Sequence, residues 1–297
     1  MTRLQVVEWS AWDRFLIRHV APDAVRLPVE PGAPLGNLGD VAAPALLHVN
    51  LSRPGSVFPD MDRWLQRFAA AGCRVLNGYC ASIDKRAVQD ACRAAGLPVV
   101  RAARDGDAHE QLIVKTRANH RGLFERDLPA GLAGELCAPL WPYPERVHRL
   151  RRADVPDALW RDPAVVVERY VDNRDGRFQR AYVVGDWIAL ATSWSPVLVK
   201  EMDHHLPVAI EMAAGAATRA LYMRDAATVA ARLARAMRVD FGAIDLALDD
   251  AGVAHPIDVN LTPWWGGEIL SPDLIDAIGA ALVSLTQTGS RYASDPA

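Results

Sequence analysis

Apolar and polar positions switch between a period of two and a period near 3.6 along the chain, and the switches mark its elements. Leu4–Glu8 and the apolar run Ala45–Asn50, bounded by Pro44 and the Ser52–Gly55 turn, predict strands. Met61, Leu65, Phe68 and Ala69 recur at helical spacing within Asp60–Ala71, and Gly72 stops that run. Arg74–Asn77 reads as the next strand, so strand, helix and strand form a parallel crossover. Ser82 is the expected cap of a helix over Ile83–Ala95, which buries Ile83, Val88, Ala91, Cys92 and Ala95 and ends at Gly96 and Pro98. Strands are predicted at Val99–Ala102 and Gln111–Lys115, and the pattern is weak from Thr116 to Arg161. Beyond it, Val165–Val171, Phe178–Val184 and Trp187–Thr192 are strands at hairpin spacing. A helix over Asp225–Met237, strands at Gly242–Leu248 and Val253–Asn260, and a helix over Ser271–Leu285 follow, with a loose tail from Gly289 onward.

Length and composition narrow the class. A chain of 297 residues suggests roughly two domains, and 51% apolar with 23% charged residues supports a sizeable core. A net charge of −3 argues against a general nucleic-acid binder. The four cysteines form no Cys-x-x-Cys pair and read as free thiols of a reducing compartment. No apolar run approaches the ~18 residues of a membrane helix, and the N-terminus lacks a signal-peptide core, so a soluble cytoplasmic protein without a membrane partner is expected. Lys85, Lys115 and Lys200 are the chain's lysines, against 30 arginines. Either base composition left three accidental survivors, or lysine persists where a compact, flexible charge is needed.

The richest segment is the hairpin Gly242–Asn260. With its turn centred near Ala251, Asp245 lies opposite Asp258, and Asn260 shares their face. Two carboxylates at cross-strand distance repel, and a hard divalent cation such as Mg²⁺ suits them together with the amide. The alternative is an exposed hairpin whose carboxylates face water, since a slip of one residue separates the pair. The P-loop and dinucleotide glycine signatures are absent, which leaves Lys85, Lys115 and Arg180 as candidates for holding phosphates.

The order of these features resembles the ATP-grasp superfamily, over about Leu76–Leu285. The resemblance rests on Asn77 followed by Asp84-Lys85, on the Gly96-Leu97-Pro98 turn, and on Leu112–Lys115 as a lysine-bearing strand. It extends to Val166–Val171 as a hinge strand, Arg180 with Val183–Asp186, and the set Asp245, Asp258 and Asn260 followed by Thr262-Pro263. It implies an α+β / α/β, ATP-grasp-like fold: a small N-terminal α/β domain (1–81), then two α+β subdomains (82–171 and 172–288) enclosing a nucleotide cleft, before the tail 289–297. It implies ATP and Mg²⁺ (or Mn²⁺) as cofactors. Lys85 and Lys115 bind phosphates, Glu168 with the backbone of Arg169, Tyr170 and Val171 reads adenine, and Asp172 or Asp175 holds the ribose. Asp245, Asp258 and Asn260 hold the metal, and Arg180 stabilises the transferring γ-phosphate.

The activity implied is that of the superfamily's carboxylate–amine ligases, similar to ribosomal-protein glutamate ligases and D-alanine–D-alanine ligases. Their partners are small-molecule or peptide carboxylates and amines, and a homodimer is compatible with the resemblance. A small-molecule kinase, which keeps the ATP site and passes phosphate to a hydroxyl, is one alternative, and a nucleotide-binding pseudo-enzyme is another, because Thr116–Gly122 carries a single glycine where the family has a Gly-rich flap. Lys200, with His204 and His205, either lies in a solvated loop or meets the acyl phosphate or incoming substrate; the ligase reading counts Lys200 with Arg180 as catalytic. Trp264–Gly267 either packs at a domain corner or walls a substrate pocket. The arginines of 146–152 read as a solvated face and Cys80 as a packed thiol.

Overall fold

The computed structural model describes residues 3–9, 14–122, 124–129, 131–132, 148–173, 176–194, 206–212, 221–264 and 271–288. The first sheet is built from β1 (Gln5–Glu8), β2 (Val25–Pro28), β3 (Ala45–His48) and β4 (Val75–Leu76), in the order β2-β1-β3-β4. All its pairings are parallel, so each connection crosses over, through α1 (Ile17–Val20) and α2 (Met61–Ala70). Helix α2 buries Met61, Trp64, Leu65 and Phe68, a stripe at helical spacing, in the cluster that holds Val7 and Leu47. Gly72 then takes φ +71°, the left-handed conformation in which helices commonly end. The opposite face of this sheet, with Val6 and Leu46, packs in a cluster shared with Tyr182, Phe241 and Leu274.

Helix α3 (Lys85–Ala94) is followed by a second sheet, of β5 (Gln111–Thr116), β6 (His148–Arg151) and β7 (Val165–Arg169), with α4 (Asp157–Arg161) before the last strand. Its order is β6-β5-β7, antiparallel throughout. Alternation along β5 buries Leu112 and Val114 with Leu159 and Val167, leaving Ile113 and Lys115 on the other face. The third sheet comprises β8 (Arg177–Val184), β9 (Trp187–Trp194), β10 (Leu206–Met212), β11 (Phe241–Leu248) and β12 (Ala254–Asn260), with α5 (Leu221–Met237) and α6 (Pro272–Thr288). It is antiparallel in the order β10-β9-β8-β11-β12. One face, with Ala181, Val183, Ile244 and Leu246, packs with α3 and α5; the other, with Tyr182, Phe241 and Ala243, packs with the first sheet and α6. Among the described residues, no helix is long and apolar enough to cross a membrane.

Several local expectations are corrected. Asp84, not Ser82, caps α3: it accepts from the N–H groups of Arg86 and Ala87, while the Ser82 hydroxyl bonds to Asp84. The strand expected over Val99–Ala102 reduces to one bridge, Arg101 with Glu168. The patterns missed β2, β6 and β10, which pair with β1, β5 and β9. Cys80 is a buried thiol pushed up by desolvation to about 12, in line with a packed role. The tail from residue 289 lies outside the described residues.

Candidate active site

The register of β11 and β12 sets Asp245 opposite Asp258 and Ala243 opposite Asn260. On its other side, Asp245 pairs with Arg180 of β8. Three neighbouring strands therefore bring Arg180, Asp245 and Asp258 side by side, with Asn260 on the same face. The register shifts by one just beyond Asp245, where Leu246 faces Pro256 and Ile257 is skipped. This bulge turns the Ile257 carbonyl to Lys115, whose Nζ donates to it at 2.9 Å.

Cations and carboxylates interlock here. Arg180 donates from Nε to Asp245 Oδ1 at 2.8 Å and from Nη2 to Oδ2 at 3.0 Å. Burial opposes its charge, but Asp245 outweighs that and raises its pKa. Lys115 Nζ lies 2.7 Å from Glu168 Oε2. Lys85, in the first turn of α3, donates to Ala118 O at 2.9 Å and lies 3.7 Å from Asp258 Oδ1. Desolvation lowers the Lys85 pKa and raises that of Glu168, each offset in part by the opposite charges facing it. Lys85, Lys115 and Arg180 balance Glu168, Asp245 and Asp258, so the group is formally neutral.

The metal-ligating expectation is tested by the chemistry of this donor set. Among the described residues, no cluster of three or more His, Cys, Asp or Glu forms a cage. What the hairpin offers is two carboxylates and an amide, all hard oxygen donors. Asp258 Oδ1 accepts from Val259 N at 3.0 Å, and Asn260 Oδ1 from Thr262 N at 2.9 Å. Asp258 Oδ1 retains a second lone pair, while Asn260 Oδ1 also accepts from Thr262 Oγ1 at 3.2 Å, a hydroxyl that would have to rotate away for the amide to bind a metal. The set fits Mg²⁺, which binds through one or two carboxylates and completes its shell with phosphate and water.

The hinge segment is partly committed to the sheet. Arg169 N donates to Val100 O at 2.6 Å and Tyr170 N to Gln111 O at 2.9 Å. Val100 N does not return the bond to Arg169 but donates to Gln89 Oε1 at 2.8 Å. Glu168 turns its carboxylate to Lys115, and its Oε1 is buried without a partner. Val171 follows the end of β7. Asp172 is exposed, while Asp175, Lys200, His204 and His205 lie outside the described residues.

Residues to which the sequence reading gave no structural role hold this arrangement. Arg117 donates to Asp84 Oδ1 at 2.7 Å, and Lys85 N donates to Arg117 O at 3.0 Å, so the segment after β5 wraps the start of α3. It continues as a 3-10 turn, Asn119–Gly122, tied by Asn119 N to Ser52 Oγ at 2.6 Å. The fully buried Gln89 also donates to Pro256 O at 3.0 Å, joining α3 to β12. Asn77, at φ +60°, exchanges four hydrogen bonds of 2.7–2.9 Å with Asp240 and Phe241. The one available signal was polar residues set inside apolar runs, as at Gln89 and Asn77.

No protein-family model matches the chain, and no curated protein matches it in sequence. Solved structures match it over nearly its whole length. D-alanine–D-alanine ligase from Bacillus anthracis is 12% identical, with a TM-score of 0.54 over 97% of this chain and 98% of that one. The ATP-grasp ligase PsnB, solved with a minimal precursor, Mg and ADP, is 18% identical, with a TM-score of 0.56 over 95% and 97%. VanG D-Ala:D-Ser ligase from Enterococcus faecalis is 13% identical, with a TM-score of 0.51 over 96% and 100%. The chain has the ATP-grasp fold, as its motif order led one to expect.

Proposed function

We propose that the protein is an ATP-dependent carboxylate–amine ligase. What carries this reading is the convergence of Lys85, Lys115 and Arg180 with Asp245 and Asp258, drawn from α3, β5, β8, β11 and β12 into one charged group. The likeness to ligases, one of them solved with Mg and ADP, supports it. In this reading the chain divides near residues 81 and 171, and nucleotide lies between the last two units. Lys85 and Lys115 bind the α- and β-phosphates. The base lies along Glu168–Val171, where the Arg169 carbonyl, not paired back by Val100, accepts from its amino group. Asp172 or Asp175 takes the ribose.

Arg180, oriented by its fork on Asp245, stabilises the γ-phosphate as it passes to a substrate carboxylate. An amine then displaces phosphate from the acyl phosphate, forming the amide; the chain supplies no covalent nucleophile. Lys200 is assigned to the incoming substrate. Mg²⁺, when held by Asp245, Asp258 and Asn260, neutralises phosphate charge.

The test is a phosphate-release screen of acids and amines, alone and in pairs. Phosphate release that requires both an acid and an amine supports a ligase, whereas ADP formed with a hydroxyl compound alone, with no phosphate released, supports a kinase instead. Asp258→Asn is expected to lower turnover at least a hundredfold while keeping the fold; unchanged ADP release from it overturns the metal assignment.

A further inference from the structure

Buried polar atoms without a hydrogen-bond partner are scarce in native folds, and each calls for a reason. Among the described residues, eight of them gather at one end of the first sheet: Glu8 Oε2, Arg18 Nε, Arg26 Nη1, both ring nitrogens of His48, both amide atoms of Asn50, and Trp264 Nε1. Glu8 and His48 are paired across β1 and β3 at their carboxyl ends, and Asn50 follows two residues on. Arg18 Nη2 lies 2.6 Å from Glu8 Oε1, and Arg26 Nη2 donates to Ala21 O at 2.8 Å and Ile17 O at 3.3 Å. The Phe15 ring stands 5.1 Å from that of His48, and the Phe15 backbone bridges to Trp264.

Structural duty accounts for only part of this group. Among the described residues, Glu8 pairs with the Arg18 guanidinium, and no second carboxylate is paired with Arg26. His48 adds no further positive charge, since burial and the two arginines hold its pKa down to about 3. The open atoms are two cationic donors, one carboxylate acceptor, and an imidazole, an amide and an indole. Their location also points to a ligand, because the carboxyl edge of a parallel sheet is where small molecules commonly bind. The His48 ring is 6.4 Å from that of Phe241. Phe241, Ala243 and Asp245 alternate on one face of β11, so Asp245 lies about 13 Å further along that strand. The chain running from Asn260 through Thr262 to Trp264 links the two places.

We propose that this cluster recognises a non-reacting anionic group of one substrate: a small molecule whose carboxylate or phosphate is taken by Arg18 and Arg26, with an N–H or O–H donor beside it facing Glu8 and His48. The word substrate rests on the ligase reading above; the binding site does not.

The experiment titrates the full-length protein, without nucleotide, with the common amino acids, their amides and phosphoethanolamine, followed by calorimetry and melting temperature. Binding of at least one amino acid, with its amide at least tenfold weaker, is expected if the anion is a carboxylate. Binding of phosphoethanolamine above all amino acids assigns a phosphate. Arg18→Gln is expected to weaken the ligand at least tenfold while keeping the melting shift caused by Mg-ATP. Because that change leaves Glu8 without its partner, the pair Glu8→Gln/Arg18→Gln repeats the test with both charges removed. Absence of binding by all of these compounds, equal binding of acid and amide, or unchanged affinity in both variants overturns the proposal. Loss of the Mg-ATP shift from the wild-type protein, with amino-acid binding intact, overturns the nucleotide reading and leaves this site standing.

Discussion

In the proposed reading, Lys85 is the side chain prepared for phosphate. Its ammonium is buried and, among the described residues, reaches a carbonyl at 2.9 Å and a carboxylate at 3.7 Å, and its pKa is lowered by desolvation. An anionic ligand relieves that cost, so Lys85→Met is expected to raise the KM for ATP at least tenfold, measured by ADP release. Lys115→Met differs, because it strips the cation from a buried carboxylate, Glu168. It is expected to cost about 3–5 kcal/mol in urea unfolding as well. His48 carries a separate signature. Its folded pKa of about 3 lies below the ordinary value of 6.5, so the unfolded chain binds a proton that the folded chain refuses. The stability this preserves is complete above pH 6.5 and is lost on acidification at about 1.4 kcal/mol per pH unit. His48→Phe is expected to remove that slope between pH 6.5 and 4, read as the difference between the two proteins' urea midpoints. Lysines and aspartates were legible as candidates in the chain; the partners that tune them were not, since each lies far away in sequence.

At the scale of elements, the β11–β12 hairpin depends on a close backbone approach. A Cβ on Gly242 would lie 2.6 Å from the Asn260 carbonyl oxygen. Gly242→Ala is therefore expected to push β12 aside, to destabilise the fold by about 1–3 kcal/mol, and to weaken Mg²⁺-dependent nucleotide binding, checked by urea unfolding and calorimetry. Helix α3 depends on its cap. Asp84 is buried, which alone would raise its pKa, yet hydrogen bonds from Arg117 and Ser82 hold it down to about 2. Its stabilisation is complete above about pH 4 and is lost as pH falls toward 2. Asp84→Ala is expected to cost about 3 kcal/mol and to loosen Lys85, seen as a weaker ATP interaction. The cap illustrates a limit of reading by pattern: Ser82 and Asp84 are both good caps, and Arg117, brought in by β5, accompanies the second.

Across the whole molecule, Asn77 fastens the first sheet to the third. It holds a left-handed conformation that Asn tolerates, and it serves the backbone and side chain of Asp240 and the backbone of Phe241. Asn77→Gly keeps the conformation but strands several buried groups, so a loss of about 3 kcal/mol or more is expected in urea unfolding. Gln89 plays a like part between α3, β12 and Val100. Such joints keep the lysines of one unit within reach of the carboxylates of another.

Local chemistry alone determined much of this protein. Helical and alternating periods marked most of the elements, because side-chain period is a property of neighbouring residues. The hairpin around Ala251 pointed to Asp245 facing Asp258, but the register that leaves the turn, from Leu248 with Ala254 to Leu246 with Pro256, would set Asp245 against Ile257, and the bulge restores the pair. Only the tertiary structure decided which cation meets which carboxylate. It also decided that a bulge at Ile257 turns a carbonyl to Lys115, and that unpaired polar groups gather beside His48. Those outcomes depend on contacts between residues tens to hundreds of positions apart, which no local pattern encodes.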